Sequence, residues 1–321
     1  MSQISCVPLI GMLLFYGVLV DGYYPTLYDN YYASSCKDAE SVIQQTVSAE
    51  LDKDLKQGAG LIRMQYHDCF VEGCDASILL DGPDAEKTAD VNAHLKGFDV
   101  IDAAKSAVEA ICPGVVSCAD IIAYAARDST VKLNGSSWVV QGGRKDGIVS
   151  SAANAEANIP PPTFEVTQLI DAFVQRGLTA WQMVVLSGSH TVGVGHCDKI
   201  VSRLYNFDST DFTDPTIDPT YAEQLKADCP QFTFNTTIEV FMDVLTPGEF
   251  DSGYFDTLEQ SKGLFTSDQS LYLDSRTKSS VEALKDEAKF EDEFAKAMIA
   301  LGTVGVKTQG QVRTNCRVVN S

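Results

Sequence analysis

Apolar residues recur at intervals of three and four positions along most of the chain. The clearest series are Val42, Val47, Leu51 and Leu55, and Val100, Ile101, Ala104, Val108 and Ile111. This spacing places apolar side chains on one face of an α-helix, whereas the alternation typical of strands is scarce. Further helical stretches are SCADIIAYAARDSTVKL, TFEVTQLIDAFVQRG, TAWQMVVLSGSHT and FEDEFAKAMIALGTV. The pattern therefore predicts a mainly α fold.

Segments rich in glycine, proline and aspartate separate these helices. They are DGPD at 81–84, GGRKDG at 142–147, NIPPP at 158–162 and an Asp/Thr/Pro-rich stretch at 208–220. Such composition is typical of turns and loops. The NIPPP segment lies near the middle of the chain, and each side of it carries one conspicuous histidine cluster. We interpret residues 23–321 as a single domain with two halves, about 23–160 and about 161–321, and a site between them.

The first 22 residues form a different kind of segment. An apolar run at 7–20 is followed by small residues, which predicts a secretory signal peptide over residues 1–22. The region before the run lacks Lys and Arg, so a short membrane anchor is the alternative, although about 18 apolar residues are needed to span a bilayer. No later segment is apolar over such a length, so we expect no membrane partner after signal removal.

Charge excludes another class of partner. The chain has 44 acidic and 24 basic residues, a formal net charge of -20, with 45% hydrophobic and 21% charged residues. The composition is that of a globular protein. Because such an acidic surface repels phosphate backbones, we expect no nucleic-acid partner.

Nine cysteines give a second indication of export. Cys6 lies in the predicted signal, and the remaining eight are Cys36, Cys69, Cys74, Cys112, Cys118, Cys197, Cys229 and Cys316. In an oxidising compartment an even number favours disulfides, here four, although eight cysteines allow 105 pairings. Buried free thiols are the alternative. The glycosylation sequons at Asn134 and Asn235 also fit an exported protein.

The stretch LIRMQYHDCFVEGCDASILLDG at 61–82 carries the first candidate chemistry. Arg63 and His67 are four residues apart, so on a helix they present a fixed cation and a titratable base to the same side. The next residues include Asp68, Asp75 and Ser77, hard oxygen ligands at the short spacing that calcium requires. A structural Arg/His pair and a solvated acidic turn are the alternatives.

The second cluster lies in the other half. VVLSGSHTVGVGHC at 184–197 places His190 after an apolar helix, where it could be an axial metal ligand or an ordinary core or cap histidine. Asp268 sits in the apolar setting GLFTSDQSLY, where a buried aspartate needs a partner such as a histidine N–H. Further oxygen ligands at short spacing are Thr191, Asp243, Thr246 and Asp251.

Taken together, RMQYHDCFVEGCDASILLD, SCADIIAYAARD, VVLSGSHTVG, FDSGYF, TSDQ and GQVRTNCRVVNS resemble the secreted plant (class III) haem peroxidases. The resemblance runs in order from about residue 28 to the C-terminus. It implies a mainly α, two-lobed fold with one haem b between distal and proximal halves, and two bound calcium ions. It also implies reduction of hydrogen peroxide coupled to one-electron oxidation of small phenolic donors.

The resemblance also implies residue roles. His190 would be the proximal iron ligand and Asp268 the acceptor of its other ring N–H. His67 would move the proton of the peroxide, and Arg63 would stabilise charge as the O–O bond breaks. Asn92 would hydrogen-bond His67. Glu86 would link this network to the distal calcium ion.

Further positions follow from the family pattern. The distal calcium ligands would be Asp68, the carbonyls of Val71 and Gly73, Asp75 and Ser77. The proximal ligands would be Thr191, Asp243, Thr246, the Glu249 carbonyl and Asp251. The disulfides would pair Cys36 with Cys112, Cys69 with Cys74, Cys118 with Cys316, and Cys197 with Cys229. The carbonyl of Pro160 would meet small aromatic donors.

The short tail after Cys316, without the long extension typical of vacuolar sorting, favours secretion to the cell wall or apoplast. The resemblance favours a monomer. The physiological donor stays open. Several residues depart from the family pattern: Lys37, Tyr66, Lys145 and Ser252, together with one residue fewer around Lys96. We hypothesise that Tyr66, where phenylalanine is usual, retunes peroxide reactivity or serves as an internal electron donor. His94 and His196 receive no role beyond solvated or structural histidines.

Three other protein classes agree less well with these residues. A catalytically silent peroxidase-like protein that binds calcium or wall polymers is disfavoured by the presence of Arg63, His67 and His190. An intracellular ascorbate- or cytochrome-type peroxidase is disfavoured by the signal and the eight cysteines. A zinc hydrolase needs converging ligands with an open position, and no H-E-x-x-H spacing occurs.

Overall fold

The computed structural model describes residues 27–232, 237–307 and 309–321. The predicted signal peptide at residues 1–22 and the sequon residue Asn235 lie outside these ranges. Thirteen α-helices form within the described residues, as the apolar spacing predicts. They are α1 (Ala39–Leu51), α2 (Gln57–Val71), α3 (Phe98–Ile111), α4 (Cys118–Lys132), α5 (Ala152–Asn158), α6 (Val166–Val174), α7 (Ala180–Ser187), α8 (Val201–Leu204), α9 (Pro219–Asp228), α10 (Gly253–Glu259), α11 (Thr266–Leu273), α12 (Lys278–Leu284) and α13 (Glu287–Leu301).

One apolar series ends earlier than its spacing indicates. Helix α1 buries Ile43, Val47 and Leu51, then stops at Leu51. Leu55 therefore lies in the turn before α2 and is 47% exposed, so its assignment to the same helical face is wrong. The segment between α1 and α2 is DKDLK, so Leu55 is its one apolar residue and its neighbours are charged. A single apolar side chain there has too little surface to hold another helical turn against the core.

Helix α4 lies at the centre of the distal half. Its residues from Cys118 to Thr130 are buried, and it packs against both α1 and α2. The Ser117 side chain accepts a hydrogen bond from the Asp120 backbone N–H, which caps the first turn. The buried carboxylate of Asp146 accepts two more of these free N–H groups, from Cys118 and Ala119. The free backbone N–H groups at the start of α4 thus find hydrogen-bond acceptors inside the protein.

The proximal half is built around α7 and α13, which pack together. Helix α7 begins at a capping box formed by Thr179 and Gln182, and it continues into a 3-10 turn at Gly188–Thr191. A Cβ atom on Gly188 would lie 2.4 Å from the Phe290 ring, so only glycine allows this approach to α13. This packing fixes the position of His190.

Two short strands complete the proximal half. β1 (Val194–His196) and β2 (Glu239–Phe241) pair antiparallel, with His196 opposite Glu239. They adjoin a separate small core that includes Ile200, Leu204, Ile217, Tyr221 and Leu225.

Four disulfides join the elements. They are Cys36–Cys112, Cys69–Cys74, Cys118–Cys316 and Cys197–Cys229, the four pairs that the family resemblance implies. The Cys118–Cys316 bond closes 198 residues and ties the C-terminal tail to the start of α4. Across the ranges that the structure covers, no helix has the length and apolarity needed to cross a membrane.

Candidate active site

The distal site is built on α2. Arg63 Nε donates a hydrogen bond to His67 Nε2 at 3.0 Å, and Arg63 Nη2 donates to the Val91 carbonyl at 2.7 Å. The other ring nitrogen, His67 Nδ1, lies 2.5 Å from Asn92 Oδ1. Because a guanidinium can only donate, Nε2 is the acceptor and the ring proton sits on Nδ1, where it is donated to Asn92. Asn92 is itself held by its amide, which donates to the Glu86 carbonyl at 2.8 Å.

Electrostatics keep the His67 ring neutral. Burial is the largest influence that lowers its pKa well below the ordinary value, and the charge of Arg63 acts in the same direction, against the hydrogen bond to Asn92. Burial also lowers the pKa of Arg63 to about 10, which still leaves the guanidinium charged at neutral pH. The site therefore presents a free base beside a permanent cation.

The proximal site uses a carboxylate instead of an amide. His190 Nδ1 lies 2.7 Å from Asp268 Oδ1, which also accepts from the Tyr254 hydroxyl at 3.0 Å. The Phe265 backbone N–H donates to the second carboxylate oxygen at 2.9 Å. Burial opposes ionisation of Asp268, but His190 and these donors hold its pKa below the ordinary value. The ionised carboxylate thus engages Nδ1 and leaves His190 Nε2 as the available ligand nitrogen.

The two histidines lie on elements that contact each other. The turn Gly188–Thr191, which carries His190, packs against α2, which carries His67. The Asp268 side chain is 2% exposed, whereas that of His190 is 39% exposed. The two contacting elements thus carry one buried base, His67, and one partly exposed imidazole, His190.

Comparison with known proteins fits this geometry. The family model described as peroxidase matches residues 43–287. Peroxidase 5 of Vitis vinifera is 46% identical over 298 residues, which covers 91% of each chain. Peroxidase 3 of Arabidopsis thaliana is 45% identical over 299 residues, again 91% of each chain, and Peroxidase 55 of Arabidopsis thaliana is 42% identical over 318 residues, 97% of this chain and 95% of the relative.

The chain belongs to the plant class III peroxidases. Its activity is that of a peroxidase, and the catalytically silent alternative is not favoured. Peroxidases of this family use haem. The residues of this peroxidase fit that group: Nε2 of His190 would be the iron ligand, and Asp268, 2.7 Å from Nδ1, would strengthen it by accepting the ring proton. Arg63 and the neutral His67 would then be the polar groups on the distal side.

The distal oxygen cluster lies directly behind His67. Asp68 accepts hydrogen bonds from the Ala76 and Ile78 backbone N–H groups, and Asp75 accepts from Ser77 N–H. Burial, with the charges of Asp75 and Glu86, raises the pKa of Asp68, and burial raises that of Asp75 to about 6. A bound cation would offset the repulsion between such closely spaced, buried carboxylates.

Buried polar atoms without hydrogen-bond partners lie in the same distal oxygen cluster. Among the described residues, Ser77 Oγ and both carboxylate oxygens of Glu86 are buried without a hydrogen-bond partner. Burial raises the pKa of Glu86 to about 8. The Cys69–Cys74 disulfide closes the loop that carries Val71 and Gly73, the predicted carbonyl ligands. Buried oxygen atoms without donors fit a cation or ordered water at this position.

The proximal oxygen cluster brings its five predicted donors together. Thr191 Oγ1 lies 3.4 Å from Asp243 Oδ2, 3.3 Å from the Glu249 carbonyl and 3.0 Å from Asp251 Oδ1. Thr246 Oγ1 lies 3.3 Å from the same Asp243 oxygen and 3.0 Å from the same Asp251 oxygen. A hydroxyl has one proton to donate, so it satisfies only one of three neighbouring acceptors. Oxygen atoms gathered in this way fit a hard cation.

Both clusters depend on mixed oxygen donors. Within the described ranges, no three His, Cys, Asp or Glu side chains converge as a metal site. Each predicted calcium site has only two Asp ligands, and the rest are Ser or Thr hydroxyls and backbone carbonyls. Calcium accepts such sets. Its binding here stays a prediction.

Tyr66 packs beside the distal histidine. Its ring centroid lies 5.5 Å from His67, 4.3 Å from Phe70 and 5.9 Å from Phe173. Burial raises the pKa of Tyr66, although the charges of Arg176 and Arg63 oppose the shift. The hydroxyl is therefore neutral, and the ring is part of an aromatic cluster at the wall of the site.

Two other departures, Lys145 and Ser252, lie outside α2 and outside the segment that carries Val91 and Asn92. Arg144, next to Lys145, is the buried arginine of that segment and pairs with Asp120 at 2.8 Å. Ser252 Oγ donates to the Lys285 carbonyl at 3.1 Å. Pro160 follows α5 and is partly exposed, and its contact with donors stays a prediction.

Two functional contacts were missed from the sequence. The first is the Tyr254 hydroxyl on Asp268, and the second is the Val91 carbonyl that holds Arg63. Tyr254 lies in the FDSGYF motif, so its position in a recognised motif was a usable signal. A backbone carbonyl carries no residue-type signal, and Val91 could not have been found in that way.

Proposed function

We propose that this peroxidase reduces hydrogen peroxide with Arg63 and His67, at a haem whose iron is held by His190, and oxidises small phenolic donors. One observation carries the proposal. A neutral, buried His67 is held between Arg63 and Asn92, on a helix that contacts the turn bearing the Asp268-bound His190.

The protein groups divide the work on peroxide. Haem, when bound, supplies the two electrons that break the O–O bond. His67 Nε2 is unprotonated, so it takes the proton from one peroxide oxygen and returns it to the departing oxygen, which leaves as water. Arg63 donates hydrogen bonds to the charge that develops on that oxygen. Asn92 holds the Nδ1 proton and keeps Nε2 in the basic form.

The phenolic donors return the two electrons and supply the two protons that the reaction needs. Two phenol molecules each lose one electron and one proton, so one hydrogen peroxide and two phenols give two waters and two phenoxyl radicals. Pro160 marks the predicted place of donor contact. We further propose that Asp68, Val71, Gly73, Asp75 and Ser77 bind one calcium ion, with Glu86 linking that site to Asn92.

The second calcium ion would bind the proximal cluster already described around Thr191 and Asp243. Export to the cell wall or apoplast is supported by the apolar N-terminal segment and by four disulfides. We propose a monomer.

An absorption experiment tests the central proposal. The calcium-supplemented protein is measured before and after one equivalent of hydrogen peroxide, and then after addition of guaiacol as the phenolic probe. We expect a haem Soret band that changes with peroxide and is restored by guaiacol. A Soret band that does not respond would refute the assigned roles of Arg63 and His67, and a protein without haem would refute the role of His190.

A further inference from the structure

The two histidines without a role lie at one junction between the halves. The His94 and His196 rings are stacked, with centroids 3.6 Å apart and an interplanar angle of 17°. His94 belongs to the distal half and is partly exposed, whereas His196 is the buried last residue of β1. A parallel stack at this distance is a direct packing contact between the halves.

Segment 90–96 contains His94 and also holds both distal catalytic side chains. The Val91 carbonyl accepts from Arg63 at 2.7 Å, and Asn92 Oδ1 lies 2.5 Å from His67 Nδ1. The positions of Arg63 and His67 therefore depend on where this segment lies. Asp90–Asn92 form a 3-10 turn, and the Leu95 N–H donates to the Asn92 carbonyl at 3.0 Å. Glu156 of α5 accepts from the Asp90 N–H at 2.5 Å, so the distal half holds the start of the segment, and residues 93–96 depend more on the contacts that follow.

The proximal half holds the same segment at three points. Asp90 pairs with Lys199 at 2.6 Å, His94 stacks on His196, and Lys96 pairs with Glu239 at 3.0 Å. The partners of His94 and Lys96 lie opposite each other in the β1–β2 pair. The adjacent Cys197–Cys229 disulfide ties this ribbon to the small core around α8 and α9.

Helix α2 approaches the segment closely as well. A Cβ atom on Gly60 would lie 2.6 Å from the Lys96 carbonyl, so the backbones touch one turn before Arg63. Displacement of segment 90–96 would thus move the partners of Arg63 and His67 relative to α2.

We propose that His94 and His196 are positioning residues, whose stack docks segment 90–96 on the proximal half and thereby holds Val91 and Asn92 against Arg63 and His67. The inference rests on the proposed roles of Arg63 and His67. It assigns no contact of either stacked histidine with substrate.

Charge makes this contact responsive to acid. Burial lowers the pKa of His94, and the neighbouring His196 ring, Lys199 and Arg63 act in the same direction. Only Asp198, with an oxygen 3.9 Å from His94 Nε2, favours a proton on this ring. A proton that acid places on His94 would therefore be opposed by its surroundings at the stacked contact. Acid should therefore loosen the junction.

The first test compares His94→Ala with His94→Phe in the haem-loaded enzyme. Alanine removes the stack, and phenylalanine keeps a flat ring without a charge. We expect His94→Ala to lower the rate constant for peroxide about tenfold with an unchanged KM for guaiacol. His94→Phe should retain most of that rate at pH 7 and should lose less of it than the parent protein between pH 7 and pH 5.

Amide hydrogen exchange provides a readout that does not depend on activity. We expect faster exchange in a peptide covering segment 90–96 for His94→Ala, with no change in a peptide from α13. If the parent protein does not react with peroxide, the proposed function fails, while the exchange result still judges the docking. Unchanged exchange and unchanged peroxide rate in His94→Ala would overturn the inference.

The lysine pair supplies a matched control. Lys56 and Lys96 both contact Glu239, but only Lys96 lies on segment 90–96. Lys96→Ala should increase exchange in the segment and lower the peroxide rate, whereas Lys56→Ala should do neither. Equal effects of the two variants would also overturn the inference, and this comparison remains available if His94→Ala fails to fold.

Discussion

His67 and His190 have the same side chain and opposite hydrogen-bond partners. His67 gives its Nδ1 proton to a neutral amide, Asn92, beside the cation of Arg63, and its pKa is lowered. His190 faces the carboxylate of Asp268, whose own pKa is held below the ordinary value. A neutral partner leaves a weak base that can take and return a proton, whereas an anionic partner makes the imidazole a stronger electron donor to a metal.

The difference indicates that the surroundings, and not the residue type alone, set what each imidazole can do: burial and Arg63 lower the pKa of His67, whereas the Asp268 carboxylate engages Nδ1 of His190. Both partners are held by contacts of their own: Asn92 by the Glu86 carbonyl, and Asp268 by Tyr254 and the Phe265 backbone. Exchanging the partners is therefore the sharpest way to test the comparison.

Removal of the distal base should have the largest effect. His67→Leu keeps the volume of the buried site and removes the proton acceptor, so we expect the rate constant for peroxide to fall by about 10³-fold or more. Stopped-flow absorbance of the haem-loaded protein measures it. Asp292→Asn, which removes only the exposed pair with Lys296, serves as a control for indirect effects. A loss of less than tenfold in His67→Leu would contradict the assigned role.

Replacement of the proximal carboxylate should come next. Asp268→Asn gives His190 the kind of partner that His67 has, and we expect a 10- to 100-fold lower peroxidase rate or haem affinity. Haem titration and steady-state guaiacol oxidation separate the two effects. Tyr254→Phe, which removes only one donor from Asp268, should have a smaller effect. An Asp268→Asn protein with the parent rate and affinity would remove the basis of the comparison.

Removal of calcium should lower stability in both halves. For ions at about 100 times their Kd, the loss is about 2.7 kcal/mol per site, or a fall in Tm of about 5–10 °C. Calorimetry with and without a chelator measures the change. Asp243→Asn should remove part of the calcium response, whereas Asp292→Asn, which breaks only the exposed pair with Lys296, should keep all of it. A Tm that is insensitive to chelator would refute both sites.

Exchange of the distal partner should change the pH dependence. The pKa of His67 lies well below 6.5, so this base should stay unprotonated as pH falls through 6.5. In His94→Phe, which lacks the acid-sensitive histidine stack, the peroxide rate should therefore stay level through pH 6.5 and decline only when His67 itself becomes protonated. Asn92→Asp places a carboxylate on Nδ1, raises the pKa of His67 and should move the decline to higher pH by about one unit. An unshifted profile would show that Asn92 does not set the basicity of His67.

Tyr66 should have the smallest effect on the comparison. Its neutral hydroxyl lies in the Phe70 and Phe173 cluster, so we expect Tyr66→Phe to change the peroxide rate by less than about threefold. An internal electron donor would instead give a tyrosyl radical signal in the parent protein that is missing in the variant. Equal rates and equal spectra would end the hypothesis that Tyr66 tunes the site.

Local sequence patterns predicted most of the helices and part of the candidate site. Helix α4 coincides with a stretch marked by apolar spacing and α13 overlaps another, because a helical face is decided by residues three and four apart. Arg63 and His67 could be paired for the same reason. Spacing alone failed at Leu55. The apolar spacing continues past the end of α1, but Leu55 is exposed and has no packing against the core that would stabilise another helical turn.

Family motifs extended the prediction beyond local spacing. Residue types alone left 105 disulfide pairings open, and the resemblance selected the four that the structure contains. The same motifs paired His190 with Asp268, which are 78 residues apart. Neither result follows from the chemistry of the single residues.

Only the tertiary structure joined His94 to His196 and placed Val91 against Arg63. His94 and His196 are ordinary in their local sequence, and their stack exists because β1 and segment 90–96 pack together across the two halves. By itself the sequence determined the helices and the chemistry that each side chain can perform, since both depend on near neighbours. Which ring faces which carboxylate, amide or second ring was decided by packing between distant segments, because the free energy of such contacts arises only after the chain has closed around them.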